Sequence, residues 1–231
     1  MAWEAILERA FFDCAHLTQA TLGDKLRYVG DHAFTGTAVE ELRLPATVEG
    51  IGHPLADGTG LTYAGPDATF SIAAGSERLL LDEHGGLYRE QEDGHHLVRM
   101  MDPRATAYEV APGTIAIDDG AFFRHPAIAE VALPASLRRI GAAAFRDCRS
   151  LARADFPEGL ESIGDEAFLD TVLERASIPA GLVRIGDRAL VTHGAHHGKV
   201  PPTLRDMEVA PGNGRFRMES GLLLERLDDG R

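Results

Sequence analysis

The chain has 231 residues, of which 44% are hydrophobic, and a net charge of −13 at neutral pH. That apolar content supports a large core and argues against disorder. The charge argues against a nucleic-acid or acidic-membrane partner, because polyanions are held by clustered Lys and Arg.

At the N-terminus, MAWEAILERAFFDC carries Glu4 and Glu8 and has no basic stretch followed by an apolar one, so it does not read as a signal peptide. No apolar run reaches the roughly 18–20 residues that a membrane-crossing helix needs, so no membrane insertion is expected. The only Asn, Asn213, is followed by Gly-Arg, which leaves no N-glycosylation acceptor.

A phrase then recurs along the chain: Ile or Val, with Phe five residues later. It appears as Ile6/Phe11, Val29/Phe34, Ile117/Phe122, Ile140/Phe145 and Ile163/Phe168, and with Leu in the last place as Ile185/Leu190. The Phe position advances by 23, 88, 23, 23 and 22 residues, and 88 is four periods of 22. A fixed period of this length marks a solenoid.

A second phrase keeps the same beat: Leu17/Ala20/Leu22, Val39/Leu42/Leu44, Ile128/Val131/Leu133, Leu151/Ala154/Phe156 and Leu173/Ala176/Ile178. Its alternation predicts a short strand with one buried face. Pro45, Pro134, Pro157 and Pro179 follow it and end the strand, since Pro donates no ladder hydrogen bond. The I-G-x-x-A-F phrase predicts a tight turn with Ala and Phe inward, formed as one helical or 3₁₀ turn.

Residues 61–111 interrupt the beat. They hold LTYAGPDATF and then LLLDEHGGLYREQEDGHHLVRM, which reads as two strands joined at Glu92-Asp93-Gly94. Residues 207–216, MEVAPGNGRF, match 61–70, and LLLERLDDG follows them. In the first copy a return strand, HHLVRM, completes the hairpin; the second stops at the turn. The expectation is a fragment of a longer repeat protein.

The pattern in IAEVALPASLRRIGAAAFRDCRS (128–150) resembles the BspA-like leucine-rich repeat of bacterial proteins. The resemblance implies a curved right-handed leucine-rich-repeat solenoid with parallel strands on one face; with the helical or 3₁₀ turns and the β-hairpin insertions read above, the expected fold class is α/β. The expected organisation is a single solenoid over 1–231. Repeats occupy about 1–60 and 107–209, a hairpin-containing insertion about 61–106, and a partial second copy 207–231. Pro54-Leu55-Ala56 after Ile51-Gly52, and the shifted Pro112, depart from the pattern locally. The resemblance further implies a cell-surface or secreted protein that binds other macromolecules.

No nucleotide-binding, hydrolase, EF-hand or paired C-x₂-C motif is present, so no cofactor and no catalytic residue are assigned. Three residues after the Phe position stand Cys14, Thr37, His125, Cys148, Thr171 and His193. Equivalent places in distant coils lie too far apart for a disulfide, so both cysteines read as small buried thiols. Phe12 and Phe123, next to core phenylalanines, read as packing residues rather than recognition aromatics.

Two groups remain as candidate sites. The step from Leu173 to Leu204 is 31 residues, and the added loop carries His193, His196 and His197. Three imidazoles can hold Zn²⁺ or Ni²⁺ with an open position; the alternative is a solvated loop. The outward strand positions hold Glu41, Arg43, Glu130, Arg153, Asp155 and Arg175. With parallel strands about 4.8 Å apart, Glu130 neighbours Arg153, and Arg175 neighbours Asp206 if the insertion bulges outward. This is either a partner-binding face or a solvated charged one. The preferred function is a non-enzymatic protein-interaction module. The alternatives are a metal-dependent site on the His193–His197 loop, or a spacer for a domain outside this chain.

Overall fold

The structure, a computed structural model, describes residues 4–30, 32–52, 69–192, 203–220 and 222–226. The chain divides into two compact units, Met1–Pro103 and Arg104–Arg231.

Unit 1 holds β1 (Ala5–Ile6), β2 (Tyr28–Val29), β3 (Glu41–Leu44), β4 (Gly50–Ile51), β5 (Thr69–Ile72), β6 (Leu79–Leu81), β7 (Gly86–Gln91) and β8 (Gly94–Met100). The apolar residue that opens each turn phrase stacks in register: Ile6 on Val29 and Val29 on Ile51, in parallel strands. β3 pairs with β5, also parallel. The unit buries Leu26, Val29, Phe34, Leu42 and Leu44 with Leu79 and Leu87 in one cluster.

The expected hairpin is present as β7 and β8, antiparallel, with Gln91 opposite Gly94. A third strand was not anticipated: β6 runs antiparallel to β7, so LLLDEHGGLYREQ bends within itself. The Asp82 carboxylate makes that bend by accepting from the N–H groups of His84 (2.9 Å) and Gly86 (2.7 Å). An Asp doing this replaces a backbone turn bond with a side-chain one.

Unit 2 holds β9 (Ala107–Glu109), β10 (Thr114–Ile117), β11 (Glu130–Ala132), β12 (Arg139–Ile140), β13 (Arg153–Ala154), β14 (Ser162–Ile163), β15 (Arg175–Ile178), β16 (Arg184–Ile185), β17 (Asp206–Val209), β18 (Phe216–Glu219) and β19 (Leu222–Glu225). β10, β12, β14 and β16 form a parallel ladder through Ile117, Ile140, Ile163 and Ile185. β9, β11 and β13 form a second parallel ladder, and β15 pairs with β17. β18 and β19 form an antiparallel hairpin.

The phenylalanines stack coil on coil. Phe122 and Phe145 lie 4.7 Å apart between ring centres and Phe145 and Phe168 5.0 Å apart, nearly parallel; in unit 1, Phe11 and Phe34 repeat this at 5.3 Å. Phe34, Phe122, Phe145 and Phe168 are fully buried.

The turn opposite the strands differs from the expectation. Among the described residues it is a run of hydrogen-bonded turns, with no α- or 3₁₀-helix. The bonding explains why. The N–H groups of Glu166, Phe168 and Asp170 donate to the carbonyls of Asp187, Ala189 and Val191 in the next coil (2.7, 2.8 and 3.1 Å). The alternate N–H groups, of Ala167, Leu169 and Thr171, donate three residues back within their own coil (3.3, 3.0 and 3.3 Å). A helix would point every N–H along its own axis and leave none for the neighbouring coil.

This alternation requires left-handed backbone twice per coil. Ala143 and Asp147, Glu166 and Asp170, and Arg9 and Asp13 all have φ between 51° and 60°. Such conformations cost of order 1–3 kcal/mol and persist where the surroundings over-determine them; here the cross-coil bonds do so.

The glycine of the phrase has a different task. Gly164 has no positive φ, yet a Cβ there would lie 2.5 Å from Ala142 N and 2.6 Å from Gly141 C, both backbone of the previous coil. Gly30, Gly141 and Gly186 meet the preceding coil in the same way, at 2.4–2.5 Å. Glycine is therefore needed for close approach between coils and not for a special turn conformation.

Candidate interaction surface

The strand ladders position two rows of side chains. Successive residues of a strand point to opposite faces, so Val131, Ala154 and Ala176 enter the core of unit 2 while their neighbours face solvent. Glu130, Arg153, Asp155 and Arg175 are all exposed, as are Glu41 and Arg43 in unit 1.

The register brings some of them together. Glu130 sits opposite Arg153, with the guanidinium 3.7 Å from the carboxylate. Arg175 sits opposite Asp206 at 3.3 Å, so β15 and β17 keep strand register across the 31-residue step. In unit 1, Glu41 and Arg43 sit opposite Thr69 and Ser71. These exposed pairs add little stability, because water screens them. Both basic groups of the unit 2 face are matched, which leaves Glu109, Asp155 and Glu208 as exposed carboxylates on it.

Two features escaped the sequence reading. The first is β9, whose Glu109 pairs in register with Ala132. The alternation Ala107-Tyr108-Glu109-Val110 carried its signal, obscured by the shifted Pro112. The second is a charged network along the turns of unit 2. Glu166 accepts from Arg146 at 2.6 Å and from Arg188 at 2.9 Å, while Asp147 pairs with Arg124 and Arg149 at 3.6 and 3.1 Å. Arg124 and Arg146 also lie over the Phe123 ring, at 5.0 and 5.7 Å from its centre. Phe123 is buried beneath them, a packing role, whereas Phe12 remains half exposed.

Past Phe34, Phe122, Phe145 and Phe168 the slot three residues on is polar and enclosed. Thr37 and Thr171 donate their hydroxyls to the carbonyls of Phe34 and Phe168 in their own coils, at 2.8 and 2.9 Å. Cys148 donates instead to the Phe122 carbonyl of the preceding coil at 2.9 Å. Burial pushes its thiol far above the usual range, opposed by a hydrogen bond at His125 and reinforced by the nearby Asp147 carboxylate. His125 accepts from the Ile128 N–H at 3.0 Å, which makes it a packed hydrogen-bonding residue.

Cys14 departs from the expectation of a buried thiol. It is free and exposed, while Cys148 is free and buried. Among the described residues the coil of Cys14 has a neighbour on one side only, whereas that of Cys148 is covered on both.

His193, His196 and His197 lie outside the described residues. Among the described residues, no group of three or more His, Cys, Asp or Glu side chains is arranged to hold a metal ion. No helix there is long and apolar enough to cross a membrane.

The repeat described above matches the pattern of the BspA type leucine-rich repeat region in six copies, over residues 2–59 and 110–208. The chain belongs to the BspA-type leucine-rich repeat family. Among curated proteins none matches it.

Three solved structures share the fold. The pneumococcal vaccine antigen PcpA is 20% identical with a TM-score of 0.69, over 90% of this chain and 49% of its own. A leucine-rich cell surface protein of Faecalibacterium prausnitzii is 22% identical with a TM-score of 0.60, over 90% of this chain and 57% of its own. A leucine-rich repeat protein of Bacteroides capillosus is 20% identical with a TM-score of 0.50, over 58% of this chain and 99% of its own. This BspA-type chain thus spans about half the length of the first two proteins.

Proposed function

We propose that this chain is a non-enzymatic protein-interaction module, displayed at the cell surface or secreted, that engages its partner through the strand face. The observation that carries the reading is that face. It is formed by in-register parallel strands and bears the exposed residues Glu130, Arg153 and Arg175, whose backbone is held by the ladders beneath, with the exposed Asp155 just past the end of β13. A rigid array of charged side chains at fixed spacing selects a complementary protein surface and suppresses wrong ones. Leucine-rich-repeat proteins are in general binding modules of this kind, and a structural neighbour from Faecalibacterium prausnitzii is described as a cell surface protein. No observation among the described residues favours the metal-loop or the spacer reading.

Brief protease treatment of intact source cells tests the location. Release of peptides from this chain before lysis supports display outside the cell. Protection until lysis overturns it. A photo-crosslinking residue placed at Arg153 tests the face, which is the wrong one if the partner is captured only from positions elsewhere.

A further inference from the structure

The second phrase of the first coil, Leu17 to Leu22, has the alternation of a strand but forms none. It is tied to the following coil where the Ala38 N–H donates to the Leu17 carbonyl at 2.9 Å. Beyond that bond, β3 has β5 as its one partner strand among the described residues. Two bonds set the phase of that ladder: Thr69 N–H to the Glu40 carbonyl (2.9 Å) and Ala73 N–H to the Leu44 carbonyl (2.8 Å). In a parallel pair alternate residues bond to the same side. Leu42 and Leu44 therefore bond toward β5, and the N–H and C=O groups of Glu41 and Arg43 point to the opposite edge.

A groove of about 560 Å³ is lined by Gln19 and Thr21 of the first coil and by Glu40, Glu41, Arg43 and Pro45 of the second, with Ala73 just past β5. Asp24 also lines it, so three carboxylates face one guanidinium. A second hollow, of about 700 Å³, is lined by the same residues 19–24 together with Leu17, Leu26 and Phe34. Residues 19–22 thus have open space on two sides, and Ala20 and Leu22 are only half buried.

We infer that the open edge of β3 accepts an extended polypeptide segment as an added strand, with Lys or Arg at alternate positions facing Asp24, Glu40 and Glu41. Added strands are bound through main-chain hydrogen bonds and selected through alternate side chains. Both elements are present here: two residues whose peptide groups point into the groove, and an excess of negative charge beside them. The inference rests on the interaction reading above and gives the partner's chemistry at one edge.

The test uses the whole chain and a synthetic peptide of alternating Val and Lys, capped at both ends, followed by amide NMR. The expected result is shift changes at Gln19–Leu22 and Glu41–Arg43. Affinity should fall about tenfold when alternate peptide nitrogens are methylated, which removes the donors that pair with β3. The Glu40→Lys/Glu41→Lys variant alters two exposed side chains and should weaken binding while leaving the rest of the spectrum in place.

No shift change at millimolar peptide overturns the inference. So does binding that is indifferent to N-methylation, or that maps to unit 2. Failure of the wider reading looks different: protection of the chain from protease on intact cells would remove surface display while the peptide still titrates into the groove. Conversely, crosslinking of a partner at Arg153 with a silent β3 edge would keep that reading and remove this one.

Discussion

Replacing Gly164 by Ala separates two explanations of the repeated glycine. If glycine served a special backbone conformation, φ at Gly164 would be positive, and it is not. At ordinary φ an Ala should even stabilise, by about 0.4–1 kcal/mol, through the unfolded state. The structure predicts the opposite sign. The added Cβ would stand 2.5 Å from Ala142 N and 2.6 Å from Gly141 C. Carbon contacts are comfortable near 3.5–4.0 Å, so the coils must part by about 1 Å.

Neither wall can yield cheaply, because the coils are joined by Gly164 N–H to Ile140 C=O and Ala143 N–H to Asp165 C=O, each at 2.8 Å. Overpacking costs about 1–3 kcal/mol. Weakening one or two of these bonds adds about 1 kcal/mol each. The expected destabilisation is about 2–5 kcal/mol, read as a lower urea midpoint by circular dichroism with unchanged slope. Gly214→Ala is the control: a Cβ there meets nothing within 4 Å, so its midpoint should stay or rise. An unchanged or raised midpoint for Gly164→Ala would refute the close-approach argument.

Phe145→Ala should cost about 3–5 kcal/mol, because the ring is buried between Phe122 and Phe168; Phe145→Leu should cost clearly less, since Leu190 already occupies that slot one coil from Phe168. Denaturant midpoints of the two variants check this. A thiol-reactive dye should label one cysteine, Cys14, in the native protein and both after unfolding, followed by absorbance. The raised Cys148 thiol also sets a pH dependence: its contribution is complete below the ordinary thiol range and declines as pH rises above it, where the unfolded chain ionises and the folded one does not. Cys148→Ala should flatten that alkaline loss in midpoints measured from pH 7 to 10. A double-mutant cycle on Glu130 and Arg153 should give a coupling of about 0.2–1 kcal/mol that vanishes at high salt; a larger, salt-insensitive value would contradict the exposed geometry.

The period of 22–23 residues and its core letters, read in one dimension, determined the family, the parallel stacking and most of the buried residues, the first coil with Phe11 and Cys14 excepted, because each coil repeats the same burial problem. The exposed strand residues followed from alternation, and the Glu130–Arg153 neighbours from the period itself. Tertiary structure decided what depends on the neighbouring coil. It placed glycine where two backbones touch, sent alternate turn N–H groups across coils in place of a helix, and put left-handed φ at residues such as Ala143 and Glu166 that no local preference favours. It likewise exposed Cys14 while burying Cys148 in the same slot, since burial there comes from coils on both sides. Residues 17–22 belong to this second group: they carry a strand's alternation, but among the described residues no strand pairs with them.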